Sequence, residues 1–152
     1  MHIRRAKREE AELLTALTIR SKAYWDYDAR FMADAEAELT FQPERFGPDF
    51  LVFVAEEDGR PIAFYSLIRL NQSTGELHDL FVEPEHIRCG IGTLLWQHAV
   101  DTARALKVRT LLLTADPHAE GFYLHRGALI VDFIHSAVRS DRCLPRMRYD
   151  LR

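Results

Sequence analysis

Residues 77–95 read LHDLFVEPEHIRCGIGTLL, and the fold is decided there. Leu77, Leu80, Phe81 and Val82 give the apolar content of a buried strand. Pro84 has no N–H to give to a ladder and ends it. Gly90 and Gly92 then bracket Ile91, and a helical pattern begins at once. Glycines at such a turn let the backbone approach a ligand closely. A helix start presents unpaired N–H groups and a partial positive charge, which suits an anionic group such as a pyrophosphate. Arg88 and Thr93 add a charge and a hydroxyl to that cradle. Taken alone, Gly-x-Gly fits plain turn chemistry equally well. Leu95 stands where the dinucleotide fingerprint needs a third glycine. The Gly-Lys-Ser/Thr of the NTPase phosphate loop is absent.

Working outward, residues 2–5 read as a short first strand. From about Arg8 the pattern turns helical, with Ala11, Leu14, Leu17, Thr18 and Ser21 at three- and four-residue steps. A second helix carries Phe31, Met32, Ala35 and Leu39 and stops before Pro43. FLVFVA (residues 50–55) and PIAFYSLIRL (residues 61–70) are strands joined by a turn over residues 57–60. With the strand before the glycine loop they make an antiparallel meander. The helix after the loop puts Ile91, Leu94, Leu95, Ala99, Ala103 and Leu106 on one face. Leu111, Leu112 and Leu113 form a short apolar strand. A strand, a long helix and another strand imply a crossover and a parallel pair. Pro117 suits the first turn of a further helix running to Gly127. Residues 130–138 and 147–151 read as the last strands, with Pro145 just before the final one.

The chain has 152 residues and a net charge of -3, which favours one domain over residues 1–152. No basic run stands out, so no nucleic-acid surface is indicated. No signal segment and no bilayer-length apolar run are visible, which points away from the membrane and to the cytoplasm. Cys89 and Cys143 lack metal-like spacing and suggest no disulfide framework. A helix start beside Cys89 would lower a thiol's pKa, but the sequence places no base near it. The seven histidines form no metal-binding cluster, so no metal is expected.

VEPEHIRCGIGTLL resembles the acyl-CoA loop of the GNAT superfamily of N-acetyltransferases. In that pattern a strand ends in Val-x-Pro, followed by Arg/Gln-x-x-Gly-x-Gly/Ala and Leu-Leu on a helix. Pro84, Gly90, Ile91, Gly92, Leu94 and Leu95 fall in place. Ile87 occupies the Arg/Gln position, with Arg88 beside it. AEGFYLHRGA (residues 119–128) resembles the family's second motif, Ala-x-x-Phe/Leu-Tyr-x-x-x-Gly-Phe. Ala119, Phe122, Tyr123 and Gly127 match, and Ala128 replaces the aromatic. The family often has Asn three residues before the matching Ala, where this chain has Asp116.

The resemblance covers nearly the whole chain. It implies an α/β fold with a mixed α+β sheet, about seven strands and four helices, and helices on both faces. It also implies transfer of an acetyl group from acetyl-CoA to a primary amine by direct attack in a ternary complex. Phe81, Val82, Ile87, Arg88, Cys89, Gly90, Ile91, Gly92, Thr93, Asp116, Phe122 and Tyr123 would hold the cosubstrate. Tyr123 would protonate the leaving thiolate. For the base, alternation puts Glu76 and His78 on one strand face and Asp79 on the other. Glu76 sits where several family members carry a carboxylate base, and His78 has the better ordinary pKa. Tyr24, Trp25, Asp26 and Tyr27 read either as packing or as an acceptor pocket, since aromatic faces and carboxylates attract an amine's cation. The departures at Ile87 and Asp116 keep an alternative open, a GNAT-like module that binds acyl-CoA without turnover. A homodimer is common in such families. The sequence does not name the acceptor.

Overall fold

The apolar spacing resolves into a single sheet with helices on both faces. The computed structural model describes residues 1–139 and 141–151. Strand β1 (His2–Arg5) leads through a 3-10 turn at Arg8–Glu10 into helix α1 (Ala11–Ala23). Helix α2 (Ala29–Leu39) follows, capped by the Asp28 carboxylate, which accepts from the Phe31 N–H at 2.7 Å. Next come β2 (Phe50–Glu57), β3 (Arg60–Arg69) and β4 (Thr74–Val82). Helix α3 (Ile91–Ala105) crosses to β5 (Thr110–Thr114). Helix α4 (Glu120–His125) precedes β6 (Leu129–His135) and β7 (Cys143–Asp150).

The strands lie in the order β1-β2-β3-β4-β5-β7-β6. The α3 crossover makes β4 and β5 a parallel pair, and the other neighbours are antiparallel. Alternation along β3 sorts the two cores. Phe64 joins Val52 and Val54 of β2 against Leu14 and Leu17 of α1. Tyr65 and Leu67 face the other way, with Leu95, Trp96 and Ala99 of α3 and Tyr123 of α4. Seven strands and four helices agree with the expected fold class.

Four details differ from the sequence reading. The helix expected from Pro117 starts as a 3-10 turn, Pro117–Ala119, and α4 proper has six residues. The strand expected over residues 130–138 stops at His135, because the Ser136 hydroxyl turns the chain by accepting from the N–H groups of Val138 and Arg139. Pro145 lies inside β7 instead of before it. Its carbonyl accepts from the Ala115 N–H at 2.9 Å, beyond the end of β5. The N–H that proline lacks would point to that same side, where no strand runs, so the ladder loses nothing.

The fourth detail concerns β4. Ser66 of β3 pairs with Asp79 and Leu67 pairs with Leu77, so His78 is one extra residue. This bulge resets the alternation. Ile68 pairs with Glu76 and Ser66 with Asp79, and both partners share the face of Phe64. Asp79 therefore lies on the α1 side with Glu76 and His78, not on the opposite face.

Candidate active site

β4 and β5 pair through three positions only, Thr74 with Thr110, Gly75 with Leu111 and Glu76 with Leu112. Beyond them β4 stays with β3 as far as Val82, and β5 stays with β7 as far as Thr114. The strands thus part. A cavity of about 460 Å³ occupies the opening and runs from Arg88 and Gly90 to Ser21 and Trp25 at the end of α1.

At one end is the glycine loop. Gly90 is the N-cap of α3 in a left-handed conformation, φ 83°, which a side chain resists. A Cβ on Gly92 would sit 3.4 Å from the Phe122 ring, so Phe122 fills the space a larger residue would need. Ile87, Arg88, Thr93, Phe81 and Val82 line the same cavity. Arg88 is left-handed without being glycine, φ 68°. Ile91 is buried beneath the loop. Cys89 is exposed, and among the described residues its thiol hydrogen-bonds only to the Ile87 carbonyl, at 3.9 Å. Nδ1 of His86, another lining residue, is buried with no partner. The Arg126 guanidinium, from the end of α4, donates to Thr93 Oγ1 at 2.7 Å.

Midway, the Tyr123 side of α4 faces the bulged stretch of β4. Tyr123 is 7% exposed. Burial, and then the charge of Asp79, hold its phenol well above the ordinary value, so it keeps its proton at neutral pH. Asp79 accepts from the Ser66 hydroxyl at 2.6 Å, and burial raises its pKa. His78 Nδ1 bonds Glu76 Oε2 at 2.7 Å. That bond raises the pKa of His78; the charge of Asp79 adds to the effect, against burial and Arg45. His78 and Asp79 line the cavity, and Glu76 stands behind His78.

The far end is closed by an ionic knot on Asp116. Its carboxylate accepts from the Lys22 ammonium, from the Tyr27 hydroxyl at 2.7 Å and from Arg142 at 3.2 Å. It also caps the His118 N–H at 2.9 Å. Burial alone would raise its pKa, but Lys22 and these hydrogen bonds outweigh burial and hold it far below the usual carboxylate range. Trp25 lines the cavity and stacks on His118, ring centroids 5.1 Å apart. Tyr24 is 44% exposed and meets Trp25 edge-on. Tyr27 is committed to Asp116 and Arg142. Asp26, at φ 65°, belongs to the turn and does not line the cavity.

The structure thus gathers the loop, Tyr123, His78, Asp116 and Trp25 around one opening, and leaves Tyr24, Asp26, Tyr27, Cys89 and Ile91 outside its lining. The sequence reading missed Asp79's face, His86, Lys22, Arg126 and Arg142. Only Arg126 carried a local signal, its place inside the second motif. Among the described residues no cluster of three or more His, Cys, Asp or Glu could hold a metal. No helix there is long and apolar enough to cross a membrane.

A parted mixed sheet, a glycine-capped helix start and a buried tyrosine across the gap fit an acyl-CoA-dependent transferase. The model of the acetyltransferase (GNAT) family matches residues 16–128, and the chain belongs to that family. It is 35% identical over 130 residues to the peptidyl-lysine N-acetyltransferase YjaB of Salmonella typhimurium, covering 84% of this chain and 82% of that one. Against its namesake in Escherichia coli the identity is 32% over 123 residues, 80% and 77% of the two chains. The fold is similar to that of the PaiA N-acetyltransferase of Thermoplasma acidophilum in complex with coenzyme A. The TM-score is 0.81 at 19% identity, over 98% of each chain. An aminoglycoside 6′-N-acetyltransferase complexed with coenzyme A gives a TM-score of 0.77 at 19% identity, over 100% of this chain and 98% of that one. The protein is an acetyl-CoA-dependent N-acetyltransferase. The residues of its cavity fit the cosubstrate: the buried Nδ1 of His86, beside the loop, has no partner among the described residues.

Because Asp116 is held ionised below its unfolded pKa, its contribution to stability is fully present above about pH 4 and fades as pH falls further. Asp116→Asn should therefore be less stable than wild type in urea denaturation from pH 7 down to about 4. The difference should narrow below that. Equal stability at pH 7 would mean that the knot contributes nothing.

Proposed function

We propose that the enzyme moves the acetyl group directly to the primary amine of a lysine side chain in a peptide, within a ternary complex. The observation that carries this reading is the opening between β4 and β5, with Tyr123 toward one side and Glu76, His78 and Asp79 on the other. The lysine acceptor is supported by the two curated relatives, both named peptidyl-lysine N-acetyltransferases.

Backbone groups of residues 80–82 on the side facing away from β3 have no strand partner. An extended arm bearing amides can add there as a strand would. N–H groups at the start of α3, with Arg88 and Thr93, meet the pyrophosphate. Two carboxylates and an imidazole at the α1 side attract an ammonium acceptor. His78 takes the ammonium's first proton and, having passed it to solvent, takes the second as the amide forms; Glu76 holds the imidazole by its Nδ1 and stabilises the imidazolium. The amine nitrogen bonds to the acyl carbon as the carbon–sulfur bond breaks. Tyr123 gives its proton to the departing sulfur and is reprotonated from solvent. Direct attack is supported by Cys89, the one thiol near the loop, which has no base in contact among the described residues.

Two measurements check this. In bisubstrate kinetics on a panel of lysine peptides, polyamines and aminoglycosides, the lysine peptide should give the highest kcat/KM, with intersecting lines. Ping-pong lines with an acetylated Cys89, or turnover only on aminoglycosides, would overturn the mechanism or the acceptor respectively. Tyr123→Phe removes one hydroxyl and keeps the ring. Its single-turnover rate should fall by roughly 10²–10⁴-fold with little change in acetyl-CoA affinity. A wild-type single-turnover rate would make Tyr123 a packing residue.

A further inference from the structure

In the family pattern an Arg or Gln precedes the glycines by three residues, and here that place is held by Ile87. We infer that Arg126, at the end of α4, adds a second cation, beside Arg88, to the group that binds the pyrophosphate of acetyl-CoA. The inference rests on the reading that this loop holds acetyl-CoA.

Three observations place the guanidinium. Its Nη1 donates to Thr93 Oγ1 at 2.7 Å, in the first turn of the fifteen-residue helix α3. It lies over the Phe122 ring, 5.2 Å from the centroid. That ring is itself 3.4 Å from where a Gly92 side chain would begin. Arg126, Phe122, Gly92 and Thr93 are therefore one packed patch beside the loop, with the guanidinium held over an aromatic face.

Its hydrogen-bonding state points to an anion. A guanidinium has five N–H donors and no acceptor. Among the described residues Arg126 uses one donor, on Thr93, and pairs with no carboxylate. Arg88, on the same loop, likewise has no carboxylate partner among the described residues, whereas Arg4, Arg20, Arg142 and Arg146 pair with acids. Thr93, having accepted from Arg126, keeps its own proton to donate. Arg126 and Thr93 together offer neighbouring donors beside the helix N–H groups, a geometry that suits two phosphate oxygens. Because the patch sits on the first turn of α3, the phosphates concerned are those of the pyrophosphate and not the one on the ribose.

The test is calorimetric titration of CoA and of dephospho-CoA, which lacks the ribose phosphate, into wild type, Arg126→Ala and Arg126→Gln. The Gln variant keeps a stem over Phe122 in case Ala loosens α4. Both variants should weaken both ligands to a similar degree, by about tenfold or more, as expected for a lost hydrogen bond between charged groups. Unchanged affinity in a folded variant overturns the inference. So does a loss confined to CoA, which would place Arg126 on the ribose phosphate. Failure of wild type to bind either ligand would instead overturn the reading of the loop itself.

Discussion

Two strands that begin side by side are pulled apart by their other partners, and the active site is the space they leave. Three parallel pairs hold β4 to β5. Beyond these, β3 keeps β4 for six more residues, and β7 keeps β5 for two. The extra residue at His78 falls just past the last parallel pair, and a bulge bends and twists its strand. It also sets the direction of the chemistry, by bringing Asp79 to the face of Glu76 and His78. Backbone groups left unpaired in a sheet interior are costly unless something pairs with them. In the proposed mechanism a cosubstrate arm rich in amides would meet that need, so that the same defect in the sheet would serve both binding and catalysis.

The other end of the opening depends on charge. Where the family often has a neutral Asn, this chain has Asp116, and a buried carboxylate requires compensation. Lys22 from α1, Tyr27 from the loop after it and Arg142 from the approach to β7 provide it. The result ties two stretches far apart in sequence, residues 22–27 and Arg142, to the turn after β5. A carboxylate so occupied acts as an internal clamp on the wall of the opening. Arg142 and Lys22 also lie against the Tyr27 and Phe31 rings, which packs the aromatic segment into the wall and leaves Trp25 as its member facing the cavity.

Local pattern made the fold legible. Period-two and helical spacing placed all seven strands and four helices, and both motifs fell on the elements their chemistry needs. What stayed hidden was whatever depends on a partner strand. A bulge is a mismatch between two strands, so HDL at residues 78–80 gives no sign of it, and simple alternation put Asp79 on the wrong face. Pro145 reads as a strand breaker unless one knows that β5 has already ended beside it. The contacts of Arg126 with Thr93, 33 residues away, and of Arg142 with Tyr27, 115 away, are set by topology alone. Of the aromatic segment only Trp25 lines the cavity, because hydrogen bonds to Asp116 and Arg142 drew Tyr27 inward and Asp26 lies in a turn.

The central claim, that the parted strands hold the cosubstrate, is tested most directly by titrating CoA into the ¹⁵N-labelled protein and following backbone amides. The account expects the shifts to concentrate in residues 80–82 of β4, residues 90–93 at the start of α3 and residues 114–116 past β5, with β1 and β2 little affected. Shifts absent from residues 80–82 and concentrated instead around the hollow lined by Gly127, Leu129 and Tyr149 would contradict it.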